Sequence, residues 1–234
     1  MNMQKYNNLY KAVQENDINA IKEFINMFKL QKIENNNNKI NRLLEETFLC
    51  NNNYMYNNIW KYIYSYINVA ESDINLKNKV GKTSLMLASI NGNIEIVKIL
   101  IDNNVKLDIQ DYNGYGETAL MKAILKDNNE ITKILINAGA DLNIQDKDGE
   151  TALMKAILEY NNEITKKLIN AGADLNIKQE DEETALMYAI YKDNPEIVKM
   201  LINAGADINI QDEDGETALM IASYRGYEKI VKIL

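Results

Sequence analysis

Apolar and polar residues alternate along most of the chain with the spacing of short amphipathic helices. In a typical stretch, two apolar groups are separated by a polar Lys-Asp-Asn-Asn break. The first group is Leu120, Ala123 and Ile124, and the second is Ile131, Ile134 and Leu135. Within each group the apolar side chains fall on one helical face. The pattern therefore predicts a pair of short helices that share a buried side.

This helix pair recurs along the chain at a nearly fixed interval. The segment E-T-A-L-M begins at Glu117, Glu150, Glu183 and Glu216, which are 33 residues apart. An earlier, looser copy carries Thr83, 35 residues before the corresponding Thr118, and its two extra residues fall at 112–116. We therefore expect five repeats, and a period of this length is typical of stacked repeat proteins. Their predicted bounds are 73–105, 106–140, 141–173, 174–206 and 207–234.

Residues at the ends of the predicted helices support these assignments. The threonine of each copy is suited to cap the first helix with its hydroxyl. The single proline, Pro195, fits the first turn of a second helix with Asn194 as its cap. Gly139, Gly172 and Gly205 follow second helices, where a left-handed residue ends a helix, and Asn104 takes that place in the first clear copy.

A single helix pair cannot bury its own apolar side, so the repeats are expected to stack into an all-α solenoid. The pattern resembles the ankyrin repeat, which has helix-turn-helix units joined by β-hairpin-like finger loops and a G-A-D-like exit. Where that family usually has T-P-L-H, this chain has T-A-L-M or T-S-L-M. The methionines in the place of the histidine are expected to form a buried ladder between repeats. They are Met86, Met121, Met154, Met187 and Met220.

Residues 1–72 are less regular and differ in charge. The apolar spacing over residues 5–28 matches one degenerate repeat, and residues 39–68 could form another irregular helix pair. This segment has 8 basic and 7 acidic residues, whereas the remainder has 18 and 27, a net charge of −9. We interpret residues 1–72 as an N-terminal cap of the stack.

The composition of the chain excludes several kinds of catalytic and binding site. The chain of 234 residues has no histidine, which excludes histidine-assisted nucleophiles and histidine metal sites. A net charge of −8 argues against nucleic-acid binding. No secretory signal or membrane span is recognised, so we expect a cytoplasmic protein, or one delivered into a host cell if its source lives in a host. The only cysteine, Cys50, is expected to be a buried, unreactive thiol.

The predicted finger loops of the later repeats are rich in charge. The residues in question are Lys147, Asp148, Glu150, Glu180, Asp181, Glu183, Glu213, Asp214 and Glu216. Stacked at the spacing of one repeat, the carboxylates would form an acidic ridge, although solvated turns are often acidic for solubility alone. The loops lack the pattern of a calcium-binding EF-hand, and we expect no metal site. Glu182 replaces the turn glycine of other copies, so this finger is expected to bend differently.

Aromatic residues accompany this acidic ridge. Tyr112 and Tyr115 fall in the enlarged finger, whereas Tyr191 and Tyr224 end first helices, with Arg225 after the second of them. The resemblance implies that fingertips and first helices form a concave binding face. Tyrosines there would be favoured anchors for a partner, although packing between repeats is the other interpretation.

The sequence thus favours a protein–protein interaction module that binds through this concave face. The expected partner is another protein with a basic or amphipathic segment, and we expect a monomer. We expect neither enzymatic activity nor a cofactor, because no catalytic constellation or phosphate-binding glycine motif is present. The alternative is a structural spacer or scaffold for a domain beyond the C-terminus.

Overall fold

The computed structural model describes residues 75, 77–78, 80–112 and 114–234. The proposed cap at 1–72, with its degenerate repeat and Cys50, lies outside the described residues. The expected boundary at residue 72 lies there as well and stays a prediction.

The described part of the chain forms ten α-helices in five consecutive pairs. Their bounds are α1 Ser84–Ile90, α2 Ile94–Asp102, α3 Ala119–Leu125, α4 Asn129–Asn137, α5 Ala152–Leu158, α6 Asn162–Asn170, α7 Ala185–Tyr191, α8 Pro195–Asn203, α9 Ala218–Tyr224 and α10 Glu228–Val231. The first helix of each pair, here called an inner helix, packs against the inner helices before and after it. The second, or outer, helices likewise pack on one another. The predicted all-α solenoid is confirmed.

The core lies between the two helix layers and between successive pairs. Leucine and alanine of the first four inner helices, with isoleucine and leucine of the first four outer helices, supply most of its buried residues. Met86, Met121, Met154 and Met187 are almost completely buried, which confirms the ladder for four repeats. The expectation is wrong for Met220, which is 53% exposed, and the neighbouring Leu219 is 47% exposed. Among the described residues, no repeat packs on this side of α9.

The predicted helix ends are confirmed with one exception. Threonine hydroxyls accept hydrogen bonds from the methionine N–H three residues on in four inner helices, for example Thr151 from Met154 at 3.4 Å. Thr184 lies at the cap position of α7, but its hydroxyl makes no such bond. Asn194 accepts from the Ile197 N–H at 3.2 Å, with Pro195 in the first turn of α8. The three exit glycines and Asn104 have positive φ, as expected.

Tight turns form the fingers at 111–117, 146–150, 179–183 and 212–216. Each is closed by a backbone hydrogen bond from its first N–H to its last C=O, at 3.0–3.1 Å. In the first of these fingers the bond spans six residues instead of four, which places the two extra residues as predicted. Within the described residues the fingers contain no regular strand, and the single β-bridge joins Gln211 to Thr217.

The expectation that Glu182 changes the shape of its finger is wrong. Glu182 has φ +62°, close to the +76° and +77° of Gly149 and Gly215 at the same place. Its N–H donates to the Gln179 carbonyl at 2.9 Å, the counterpart of the bond from Gly149 to Asp146. The turn therefore keeps its form, and a glutamate occupies a conformation that favours glycine.

Candidate functional site

Backbone hydrogen bonds join neighbouring fingers into a continuous row. The Lys147 N–H donates to the Tyr115 carbonyl at 2.7 Å, which ties the second finger to the enlarged first one. The corresponding bonds run from Glu180 to Asp148 at 3.2 Å and from Glu213 to Asp181 at 3.1 Å. The fingertips are thus fixed relative to one another, at the spacing of one repeat.

Most charged side chains that the sequence singled out in this row face solvent. Exposed residues are Lys147, Asp148, Glu180, Asp181, Glu213, Asp214 and Glu216. The charge of Asp181, with smaller contributions from burial and from Asp214, Asp212 and Glu183, raises the pKa of Glu213. Carboxylates of two adjacent fingers therefore repel one another, in keeping with the excess of exposed acidic side chains in the row.

Two of the predicted residues, Glu150 and Glu183, point instead toward the inner helices and are half-buried. They line a groove with a volume of about 400 Å³. The full lining, called the tyrosine groove below, is Glu150, Leu158, Glu183, Tyr188, Tyr191 and Arg225. Fingers and inner helices therefore share one face of the stack, and the groove lies between them.

The Arg225 guanidinium crosses the tyrosine groove and lies 4.8 Å from the centre of the Tyr191 ring. This distance is typical of a cation–π contact. Tyr224, the neighbour of Arg225, is 88% exposed and contributes nothing to the lining of the groove. The structure thus brings Tyr191 and Arg225 together and leaves Tyr224 apart.

Tyr112 and Tyr115 lie on the enlarged finger and are more than half exposed. The Lys147 ammonium donates to the Tyr112 carbonyl at 3.2 Å, and Lys77 lies 5.1 Å from the Tyr112 ring. These two tyrosines form a second aromatic surface beside the row of fingers, apart from the tyrosine groove.

Sequence reasoning missed two buried lysines on the inner helices. The Lys122 ammonium forms ion pairs with Asp111 and Glu117, both at 2.7 Å. Lys155 pairs with Asp146 at 2.6 Å and with Glu150 at 2.8 Å. Each lysine therefore fastens an inner helix to both ends of its own finger.

These buried pairs keep their charges. Burial by itself raises the pKa of Asp111, but the hydrogen bond and charge of Lys122, with the N–H groups of Gly116 and Glu117, outweigh it and lower the pKa. Burial acts against the charged form of Lys155, but hydrogen bonds and charges from Asp146 and Glu150 raise its pKa. Both groups therefore stay ionised at neutral pH.

The residue at the position of these lysines differs between repeats. This variation is the signal in the sequence that could have revealed them. Counting from the cap threonine, the fourth residue is Leu87, Lys122, Lys155, Tyr188 and Ile221, between a Leu-Met pair and an alanine that all five inner helices share. The Tyr188 hydroxyl donates to Glu150 of the preceding finger at 3.0 Å. The Tyr191 hydroxyl interacts electrostatically with Glu183. Burial, then the neighbouring glutamates, raise the pKa of both tyrosines, so they remain hydrogen-bond donors.

The family model of ankyrin repeats (three copies) matches the chain at residues 9–146, 126–212 and 153–234. The chain belongs to the ankyrin repeat family. Among curated proteins, none matches this ankyrin repeat chain closely enough to count as a relative.

Ankyrin repeats are generally protein–protein interaction modules and typically have no enzymatic activity. In the described part of this ankyrin repeat chain, none of the helices is long and apolar enough to cross a membrane.

Proposed function

We propose that this ankyrin repeat protein recognises another protein through the concave face formed by its finger row and inner helices. The observation that carries the proposal is the hydrogen-bonded row of fingers, which holds acidic side chains beside an open, tyrosine-lined groove. Because the row is negatively charged, the partner segment is basic or amphipathic. Charge would mainly speed the encounter, whereas desolvated aromatic side chains would supply most of the affinity.

Affinity capture with a finger-reversal variant tests this proposal. In the variant Glu180, Asp181 and Glu183 are replaced by lysine, in the finger that is closed by the backbone bond from the Gln179 N–H to the Glu183 carbonyl. A control with the same change of charge replaces Glu130, Glu163 and Glu196, which are exposed on outer helices. Circular dichroism first checks that both variants fold.

The proposal expects proteins from the source-cell or host lysate to be retained by the wild type and the outer-helix control, and lost by the finger-reversal variant. Equal retention by all three would contradict the proposed face. Retention of nothing by any of them would favour the spacer or scaffold hypothesis.

A further inference from the structure

The tyrosine groove has an unusual balance of charge for its place in the stack. In the two preceding repeats, a buried lysine neutralises the finger glutamate, as Lys155 does for Glu150. In the next repeat Tyr188 replaces that lysine. Glu183 accepts instead from an uncharged donor, the Gln179 side-chain amide, at 2.8 Å. Within the described residues, Glu183 forms no ion pair.

The groove adds aromatic surface beside this carboxylate, mainly from Tyr191, which is partly exposed, whereas Tyr188 is only 8% exposed. Tyr188 and Tyr191 lie one helical turn apart on α7, and the Tyr188 hydroxyl donates to Glu150 at 3.0 Å, which fixes that ring. Leu158 of α5 supplies an apolar wall. A volume of about 400 Å³ falls within the range of ~300–1,000 Å³ typical of small ligand sites.

The protein already places a cation of its own against this surface. Arg225, an exposed residue after α9, reaches back so that its guanidinium covers the Tyr191 ring at 4.8 Å. A planar guanidinium suits a site with an aromatic face and a carboxylate, because it can stack on the ring and donate paired hydrogen bonds to the acid. An ammonium group has no such plane.

We infer that the tyrosine groove binds one arginine side chain of the partner against Glu183 and the Tyr191 ring, in place of Arg225. The inference rests on the proposed function and gives it one definite contact. Arg225 acts as an internal competitor: it holds the groove in the free protein and moves to solvent when the partner arginine enters. The partner's affinity therefore depends on how readily Arg225 leaves.

A peptide titration tests this. The probe is acetyl-Gly-Gly-Arg-Gly-Gly-amide, added to protein with ¹³C-labelled tyrosine rings, and the Tyr188 and Tyr191 ring signals are followed by NMR. Two further probes carry lysine or citrulline in place of arginine, and citrulline has nearly the same shape without the charge. The arginine probe is expected to shift both ring signals, the lysine probe to bind more weakly and the citrulline probe not to bind.

Matched variants separate the groove from general electrostatics. Glu183→Gln is expected to weaken binding of the arginine probe about ten-fold, because a charge-assisted hydrogen bond is lost. Glu180→Gln removes the same charge from the exposed part of the same finger. It should change the affinity for the arginine probe by less than about two-fold, because a surface charge is screened by salt.

Arg225→Gln is expected to tighten binding about three-fold or more, because the competitor is gone. Its control is Lys192→Gln, which removes a cation from the Tyr160 ring, 4.5 Å away, outside the groove lining. Lys192→Gln should leave the affinity nearly unchanged.

Four results would overturn the inference: equal binding of the citrulline probe, equal or tighter binding of the lysine probe, equal effects of the two glutamate variants, or weaker binding after Arg225→Gln. These results are independent of the capture experiment. If the finger-reversal variant loses its partner while the arginine probe fails to bind, the groove contact is wrong and the proposed function stands. If the arginine probe binds the groove while the finger-reversal variant still retains the partner, the groove is an arginine site and the proposed binding face is wrong.

Discussion

At the scale of single residues, the space beside the same turn differs from one finger to the next. Gly149 and Gly215 have nearly the same positive φ. A Cβ added to Gly149 would lie 2.8 Å from the Gln179 Cα and 2.9 Å from the Glu180 N, atoms of the next finger's backbone. At Gly215 the nearest atom would be the side-chain amide nitrogen of Gln211, at 3.9 Å.

Alanine at these two glycines should therefore have unequal costs. In both variants a side chain in the left-handed region lowers the free energy of unfolding by about 1–2 kcal/mol. Gly149→Ala should cost about 1–3 kcal/mol more, because the next finger must move away. Urea unfolding of both variants measures the difference. Equal losses would show that the contact between fingers yields freely.

The methionines show how position along the stack changes the contribution of one side chain to stability. Met154→Ala should lower the free energy of unfolding by about 2–5 kcal/mol, because the side chain is buried between repeats. Met220→Ala, at the same place in the last repeat, should cost less than about 0.5 kcal/mol because that side chain is exposed. Chemical denaturation of the pair checks this, and similar losses would contradict the ladder.

At the scale of helices and fingers, the sequence predicted what depends on local chemistry. Helical spacing, four of the five cap threonines and Pro195 correspond to bonds within a few residues, and these were confirmed. The shape of the finger at Glu182 was predicted wrongly, because the surrounding turn imposes a left-handed conformation that the residue itself disfavours. The bond pattern around the turn outweighs the preference of one residue.

The candidate site was less accessible to sequence reasoning because it depends on contacts between elements. Lys122 and Lys155 looked like ordinary charged residues on short helices, whereas each is buried against its finger. Tyr188 was missed since its partner, Glu150, lies 38 residues earlier. Tyr191 and Arg225 were chosen, but only the structure brings Arg225 across the Tyr191 ring.

The bond between finger and helix predicts a dependence of stability on pH. Because Asp111 has a lowered pKa in the folded protein, its contribution is complete above its ordinary value of 3.8 and is lost as the pH falls through the lower folded value. Asp111→Asn should cost about 1–3 kcal/mol at pH 7 and progressively less as the pH falls below 3.8. Asp148→Asn, in an exposed position, serves as the control.

Urea unfolding followed by circular dichroism from pH 7 to about pH 2.5 measures both variants. A cost of Asp111→Asn that stays constant over this range would show that its carboxylate charge adds nothing to the finger.

At the scale of the whole molecule, each repeat contacts only its neighbours, so stability is a chain of local interfaces. Inner helix α5 packs on both α3 and α7, whereas α9 packs on α7 alone among the described inner helices. Leu219 and Met220 are exposed on the side of α9 where a following repeat would lie. Opening the last repeat therefore breaks one interface, and opening a central repeat breaks two.

Amide hydrogen exchange on the full chain should follow this difference. Amides of α5 and α6 should exchange more slowly than those of α9 and α10, by about ten-fold for each 1.4 kcal/mol of interface lost on opening. Met154→Ala should speed exchange in α3 to α8, since it weakens the interfaces on which these helices depend, while Met220→Ala should alter only α9 and α10. Uniform protection along the stack would mean that the repeats open as a single unit, and the nearest-neighbour account would then be wrong.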